Sequence, residues 1–169
     1  MYHSDIISKL ESNKQIFNSF FSGNSADEIL WKPAPEKWCL LEIVCHLYDE
    51  EREDFRARVK HTLEMPSQPM PKIDPQGWVT ERNYIGRNYS EMCAMFLSER
   101  DESIKWLRSL SSPDWKQIYV HPTAGELPAD LFLSNWLAHD YLHFRQLTFT
   151  RYQYLINHFP GRYDYAGNW

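Results

Sequence analysis

The stretch that decides the fold is residues 129–157, which read ADLFLSNWLAHDYLHFRQLTFTRYQYLIN. At about 100° of rotation per residue, its leucines and aromatic residues fall on nearly every face of a helix. A helix that is apolar almost all the way round is typical of the centre of a fold. We therefore expect this segment to form a long, buried helix.

One stripe of this helix is polar and contains Asn135, His139, His143, Gln146 and Thr150. His139 and His143 lie four residues apart, so their imidazoles stack one turn apart and can offer two neutral nitrogens to one metal ion. Core histidines that are satisfied by hydrogen bonds would also offset the cost of desolvation. The spacing alone leaves both interpretations open.

Three further helices are predicted at about residues 5–21, 40–63 and 90–110, because apolar side chains recur there at helical spacing. No segment shows a convincing strand pattern. Four helices of this length predict an all-α four-helix bundle.

The link between the second and third predicted helices, residues 65–78, contains Pro66, Pro69, Pro71 and Pro75. Four prolines exclude a continuous helix there. The link is long enough to cross the length of a bundle, so the two helices that it joins can run parallel.

A third histidine, His46, lies in the second predicted helix. On the angular count it falls away from the main apolar side, near Glu42, Asp49 and Glu50. It is either an exposed surface histidine or a ligand on the edge of a cleft. The segment that follows mixes acidic and basic residues, which is typical of a solvated helix face; they are Glu51, Arg52, Glu53, Asp54, Arg56, Arg58 and Lys60.

Length and charge limit the class of protein. A chain of 169 residues fits one domain, 1–169, and its net charge of −5 makes nucleic acid an unexpected partner. No stretch approaches the ~20 apolar residues of a membrane helix, and no secretory signal is visible. The three cysteines show no C-x-x-C spacing. We expect a protein of the reducing cytoplasm that acts on a small molecule.

Several other active-site motifs are excluded. A di-iron bundle needs Glu-x-x-His motifs, and no Glu here stands three residues before a His. The H-E-x-x-H motif is absent, since Asp140 follows His139. The chain also has no G-x-S-x-G elbow, Walker loop or dinucleotide fingerprint.

Two segments resemble the signatures of the DinB-like superfamily. The first comprises Trp31, Pro33 and the residues that follow, 36–38 (EKW) and 41–47 (LEIVCHL). The second is residues 139–146, HDYLHFRQ. The resemblance spans almost the whole chain, helix by helix, and includes the long link.

This resemblance implies an up-down-down-up bundle with the Pro-rich crossover between helices two and three. It also implies one divalent metal ion held by His46, His139 and His143, and members often form homodimers. The superfamily includes transferases that use low-molecular-weight thiols such as bacillithiol, an isomerase that uses mycothiol, and metal-dependent hydrolases. Other members have no demonstrated activity, so a non-enzymatic, stress-related metal-binding module is an alternative.

Because neutral imidazoles carry no charge, a divalent ion held by three of them would keep its double positive charge. At least one of its coordination positions would stay open to an exchangeable ligand. A thiol bound there becomes the nucleophilic thiolate and supports S-transfer to an electrophile, whereas bound water supports hydrolysis. We predict the first function, with hydrolysis as the alternative. The residues do not choose among Zn, Ni, Fe and Mn, since all four accept imidazole.

Two catalytic candidates accompany the histidines. Glu50 lies one turn after His46 and could accept a proton or orient bound water, although a solvated glutamate is the alternative interpretation. Gln146 lies one turn past His143 and could contact a metal-bound ligand.

Three neighbours of the histidines are expected to lie outside the site. Asp140 points about 100° away from its neighbour on the helix, and Arg145 is expected to point elsewhere. Cys45 is expected to be a buried, unreactive thiol.

Overall fold

The computed structural model of the protein describes residues 2–167. The α-helices are α1 (Tyr2–Phe21), α2 (Ala26–Leu30), α3 (Leu40–Asp49), α4 (Arg56–Glu64), α5 (Pro75–Glu81), α6 (Tyr89–Ser109) and α7 (Ala129–His158). A π-helical segment, Glu50–Phe55, joins α3 to α4 without a break, and we call residues 40–64 the second bundle helix. With α1, α6 and α7 it forms the four-helix bundle that the sequence predicts, so this prediction is confirmed.

Helices α1 and α7 run parallel. Near the start of both, Tyr2 Oη lies 3.3 Å from Ser134 Oγ. Further along both, the rings of Phe20 and Phe144 stack with centroids 6.1 Å apart. The first and last bundle helices therefore point the same way.

Helix α6 runs antiparallel to α1. Glu11 of α1 pairs with Arg108 of α6, whereas the later residue Lys14 pairs with the earlier residue Asp101. The order of the contacts along one helix is thus the reverse of that along the other.

The second bundle helix runs parallel to α6. Tyr48 lines one surface groove together with Met92 of α6, and Lys60, twelve residues later, lines another together with Trp106. The second bundle helix and α6 therefore share a direction, which is opposite to that of α1 and α7. The predicted up-down-down-up order is confirmed.

The crossover between the parallel helices is anchored along its length. Its Pro-rich part has no helix until α5, which starts at Pro75 with Asp74 as its N-cap. Proline suits a first helical position because its missing N–H would have no partner there. Earlier in the crossover, the backbone N–H of Met70 donates to Tyr119 Oη over 3.2 Å.

Tyr119 belongs to a hairpin that the sequence analysis did not predict. Strands β1 (Ile118–His121) and β2 (Gly125–Pro128) pair antiparallel, with Tyr119 opposite Leu127. Each strand has four residues, which is too short to show clear alternation in composition. The expectation of no strand was wrong at this point. The hairpin leads directly into α7.

The π-helical segment lies at the middle of the second bundle helix. Extra residues in such a turn rotate the following side chains relative to a regular helix, and π-bulges are frequent at functional sites. Here Glu50, Glu51 and Phe55 are all buried. The expected solvated face is therefore wrong for Glu51, which is 2% exposed.

Candidate metal centre

The structure brings the three sequence-predicted histidines together. Nε2 of His143 lies 3.0 Å from Nε2 of His139, which in turn lies 3.4 Å from Nε2 of His46. One ligand atom from each residue falls within 4.8 Å of the other two. Two distant helices, α3 and α7, supply this cluster.

Packing on both sides of α3 explains why His46 is buried. Every residue of α3 except Tyr48 is buried, because the helix packs against α6 and the crossover helix α5 and also faces α7. Apolar periodicity in a sequence identifies only the more apolar side of a helix that is buried on two sides. The ring of Trp38 also covers the imidazole of His46, with centroids 4.7 Å apart.

The π-helical segment helps to wall the cluster on the α7 side. Phe55 ends this segment, and its ring lies 4.8 Å from the ring of His139, measured between centroids. The same phenyl ring stacks on Trp136. The imidazoles therefore sit between aromatic side chains, in surroundings that disfavour a charged ring.

Burial lowers the pKa of all three imidazoles. The pKa of His46 falls to about 3 and that of His139 to about 2, mainly by burial and then through the neighbouring histidines. Burial lowers the pKa of His143 to about 4, although the nearby side chain of Gln146 and the charge of Asp140 act in the opposite direction. All three rings are neutral at pH 7, which is the form that binds metals.

The arrangement fits a metal ion. A tetrahedral cation with nitrogen ligands at about 2.0–2.1 Å holds those nitrogens about 3.3–3.4 Å apart, which is close to the separations between these Nε2 atoms. The Nδ1 atoms of His46 and His143 are buried without a hydrogen-bond partner. A neutral imidazole that binds a metal through Nε2 carries its proton on Nδ1. The two unpartnered Nδ1 atoms are therefore where His46 and His143 would carry their N–H protons if both bound a metal.

A second polar cluster lies beside the histidines, with Arg100 of α6 at its centre. The guanidinium donates to both carboxylate oxygens of Glu51 over 2.8 and 2.9 Å. It donates to both oxygens of Asp140 over 2.8 Å and to the carbonyl of Leu10 over 3.1 Å. Every N–H of the guanidinium therefore has an acceptor. We call Glu51, Arg100 and Asp140 the buried ion cluster.

Neighbouring side chains satisfy the carboxylates of this cluster further. Trp136 Nε1 donates to Glu51, and Asn13 Nδ2 donates to Asp140, each over 2.9 Å. Burial by itself would lower the pKa of Arg100, but the charges of the two carboxylates outweigh it and raise that pKa. The cluster therefore contains one cation and two anions, and it carries a net negative charge next to the histidines.

The sequence analysis missed this cluster, although one signal for it was present. Arg100 falls at helical spacing between Phe96 and Leu107, on the stripe of α6 that is buried in the structure. A charged residue on an apolar stripe needs a buried partner. Asp140 lies off the histidine stripe, as its angle predicts, and its carboxylate bonds Arg100 and Asn13.

Glu50 is 4% exposed, so the alternative of a solvated glutamate is wrong. Its Oε1 is buried without a hydrogen-bond partner. Burial, followed by the nearby Asp54, raises the pKa of this carboxyl group to about 8, while the charge of Arg58 acts against the rise. The cluster of potential ligand atoms contains the three histidines and no carboxylate, so Glu50 lies outside that set.

An open cleft of about 510 Å³ borders the histidine cluster. Its lining residues come from α7 and from the turn before α3, and they are Lys37, Leu142, His143, Arg145, Gln146 and Phe149. The cleft therefore gives access to the cluster past His143. Gln146 lies there, as expected, but so does Arg145, for which the expectation of another direction was wrong.

The cysteines take no part in this arrangement. Burial raises the pKa of Cys45 to about 12 and that of both Cys39 and Cys93 to about 11. All three are protonated thiols at pH 7, and they make poor nucleophiles and poor metal ligands.

The bundle topology and the histidine cluster together define a class, namely helical-bundle proteins with three imidazoles gathered to hold one metal ion. A family model of the DinB superfamily matches residues 9–147, and the chain belongs to that superfamily. The resemblance that the two sequence segments suggested is confirmed.

Among solved structures, one from Bacillus subtilis is similar, with a TM-score of 0.77. This protein, YfiT, is described as a probable metal-dependent hydrolase with an unusual four-helix bundle topology. The two chains are 17% identical, and the match covers 88% of this chain and 85% of that one. At this identity the likeness shows the fold. No curated protein matches the sequence, and within residues 2–167 no helix is long and apolar enough to cross a membrane.

Proposed function

We propose that the protein is a metal-dependent enzyme that activates a low-molecular-weight thiol for S-transfer to an electrophile. The observation that carries this proposal is the convergence of three neutral imidazoles at the edge of an open cleft. His46, His139 and His143 would hold one divalent ion, Zn, Ni, Fe or Mn. Bound there, the ion would acidify a thiol so that it reacts as thiolate at neutral pH.

The proposed reaction joins a thiol R–SH to an electrophile R′–X. The sulfur forms a bond to carbon with its own electron pair, and the C–X bond breaks as X leaves with that bonding pair. The thiol proton passes to Glu50 and ends on the leaving group as HX. A carboxyl group whose pKa is about 8 is partly ionised just above neutral pH, and its ionised form is a stronger base than an ordinary glutamate.

Gln146 is proposed to orient the bound substrate. Its half-buried side chain lines the cleft next to His143, and an amide offers both donors and an acceptor. Neither Glu50 nor Gln146 is needed to hold the metal ion, so their substitution would separate catalysis from metal binding.

Hydrolysis is the second candidate function. The observation in its favour is that YfiT, which shares this fold, is described as a probable metal-dependent hydrolase. In that case the same position would activate water in place of a thiol. The two functions differ in whether turnover requires an added thiol.

A two-stage experiment tests the proposal. Metal-free wild type is resupplied with Zn, Ni, Fe or Mn, and bound metal per chain is counted. His46→Asn is the test variant, and His158→Asn, at the exposed end of α7, is the matched control. We expect one ion per chain in wild type and control, and loss of the ion in the test variant.

The loaded proteins are then assayed with 2-mercaptoethanol and 1-chloro-2,4-dinitrobenzene, and separately with 4-nitrophenyl acetate. Thiol conjugation that depends on the metal supports S-transfer. Ester cleavage without a thiol, together with no metal-dependent conjugation, would favour hydrolysis instead. Metal binding with neither activity would favour a non-enzymatic module.

A further inference from the structure

The cleft beside His143 has the size of a small-molecule site. Its volume of about 510 Å³ lies within the roughly 300–1,000 Å³ that is usual for ligand pockets. One of its walls is an imidazole of the candidate metal centre. A molecule that occupies the cleft would therefore have one end next to the reactive position.

Two unneutralised cations line this cleft. Seven of the ten arginines pair with a carboxylate, namely Arg52, Arg56, Arg58, Arg82, Arg100, Arg108 and Arg162. Arg87 and Arg151 donate to backbone carbonyls instead. Within residues 2–167, by contrast, neither Arg145 nor the ammonium of Lys37 forms an ion pair, both side chains are exposed, and no acidic side chain lines the cleft. In a chain of net charge −5 this is a local positive site.

The remaining lining residues are partly apolar. Leu142 is 52% exposed although it is a large aliphatic residue, and Phe149 is half-buried. A binding site typically combines such apolar contact with a few charged groups that fix the orientation of the ligand. The lining therefore matches a molecule with an apolar body and an anionic end.

We propose that Arg145 and Lys37 form a subsite for the anionic group, carboxylate or phosphate, of the small molecule whose reacting end meets the histidine cluster. This inference rests on the proposed function for the position of the reacting end. Arg145 supplies a planar fork of donors that matches either anion in two hydrogen bonds. Lys37 adds a second positive charge to the lining, from the turn before α3.

Ligand-observed ¹⁹F NMR on the zinc-loaded protein tests the subsite with three probes of similar shape. They are 4-fluorobenzoate, 4-fluorophenyl phosphate and the neutral 4-fluorobenzyl alcohol. The test variants are Arg145→Gln and the double variant with Lys37→Gln. Lys105→Gln is the matched control, since Lys105 is an exposed lysine that does not line the cleft.

We expect wild type and control to bind at least one anionic probe more tightly than the alcohol. The double variant should lose about tenfold or more of that affinity, while its affinity for the alcohol stays the same. Comparison of the two anionic probes shows which group the subsite prefers. Repeating the titrations on metal-free protein removes any direct contact between an anion and the zinc ion.

Two results would overturn the subsite, whatever the enzyme assays show. The anionic probes could bind wild type and double variant equally, or the alcohol could weaken in parallel with them. If instead the anionic preference behaves as expected but thiol conjugation is absent, the subsite stands and the proposed S-transfer function is overturned. The two proposals can therefore fail separately.

Discussion

The histidine cluster and the buried ion cluster are both polar groups in an apolar bundle, and they differ in how far their hydrogen bonds are satisfied. In the ion cluster every N–H of Arg100 has an acceptor, and Trp136 and Asn13 bond the two carboxylates. In the histidine cluster, Nε2 atoms face one another and two Nδ1 atoms have no partner. Saturation indicates a structural role, whereas convergent lone pairs with unmet bonds indicate a ligand.

The two clusters are also linked through α7. His139 and Asp140 are neighbours in the sequence, so the bonds that fix Asp140 to Arg100 also fix the backbone that carries the imidazole of His139. Glu51 attaches the second bundle helix, which carries His46, to the same guanidinium. We infer that the ion cluster holds α3 and α7 at the separation that the histidine cluster needs.

Removal of one imidazole should have the largest effect. His143→Asn deletes a proposed direct ligand of the metal. Removing a residue that only hydrogen-bonds to a metal ligand already lowers metal affinity by about 10–100-fold. We therefore expect a loss of more than about 100-fold in zinc affinity, measured by competition with a chelator. His61→Asn is a buried control outside the cluster. Equal zinc affinity in wild type and His143→Asn would remove the distinction between the two clusters.

Breaking the ion cluster should mainly lower stability. Arg100→Met leaves two buried carboxylates without their cation, which typically costs about 3–5 kcal/mol. The control Arg108→Met removes an exposed pair with Glu11 and should cost less than about 1 kcal/mol. Denaturant unfolding of the metal-free proteins measures both. Partial recovery is expected when Glu51→Gln and Asp140→Asn are added, and similar small losses in the two single variants would contradict a structural role.

Acid should destabilise the metal-free protein through the histidines. Their pKa values lie below 6.5 in the folded state, so the unfolded state binds more protons below that pH. The stability that they contribute is complete above pH 6.5 and declines as the pH falls toward about 4. Each histidine accounts for about 1.4 kcal/mol per pH unit at most. Glu50 acts in the opposite sense, because its pKa is raised to about 8.

Comparing the pH dependence of the unfolding free energy in wild type and in His143→Asn separates the contribution of His143 from these opposing effects. Unfolding free energies at pH 7.5 and pH 5.5 should show a shallower acid loss in the variant. A variant that loses as much stability as wild type would mean that His143 is not held neutral in the folded state.

The smallest effect is expected from a partner at the edge of the ion cluster. Trp136→Phe keeps an aromatic ring but removes the indole N–H that donates to Glu51, at a cost of about 1–2 kcal/mol. Zinc affinity should change less than about tenfold. Trp106→Phe, at a half-buried position on α6, is the control. If Trp136→Phe lost as much zinc affinity as His143→Asn, the histidine cluster and the ion cluster would have to be treated as one functional unit.

The long helices could be predicted because their signals are local. Apolar periodicity and proline positions placed α1, α6 and α7 within a few residues of their observed ends. The hairpin could not be predicted in this way, since four-residue strands carry too little pattern.

The burial of His46 and Glu51 could not be predicted from apolar periodicity, for two physical reasons. Helix α3 packs on two sides, so a count that seeks one apolar face assigns His46 to solvent. The π-helical segment then rotates the residues after Asp49, which turns Glu51 from an apparently solvated face toward Arg100. The family resemblance supplied the role of His46. Arg100 on an apolar stripe indicates a buried partner, but only the structure identifies Glu51 and Asp140 as its partners.

The central claim is that His46, His139 and His143 bind a single cation between them. A crystal structure of the metal-loaded protein, with an anomalous-scattering map collected at the metal edge, tests it most directly. We predict one anomalous peak about 2.0–2.2 Å from the Nε2 atom of each histidine, with a further position open toward the cleft. A map without a peak there after resupply of Zn, Ni, Fe and Mn would contradict the account.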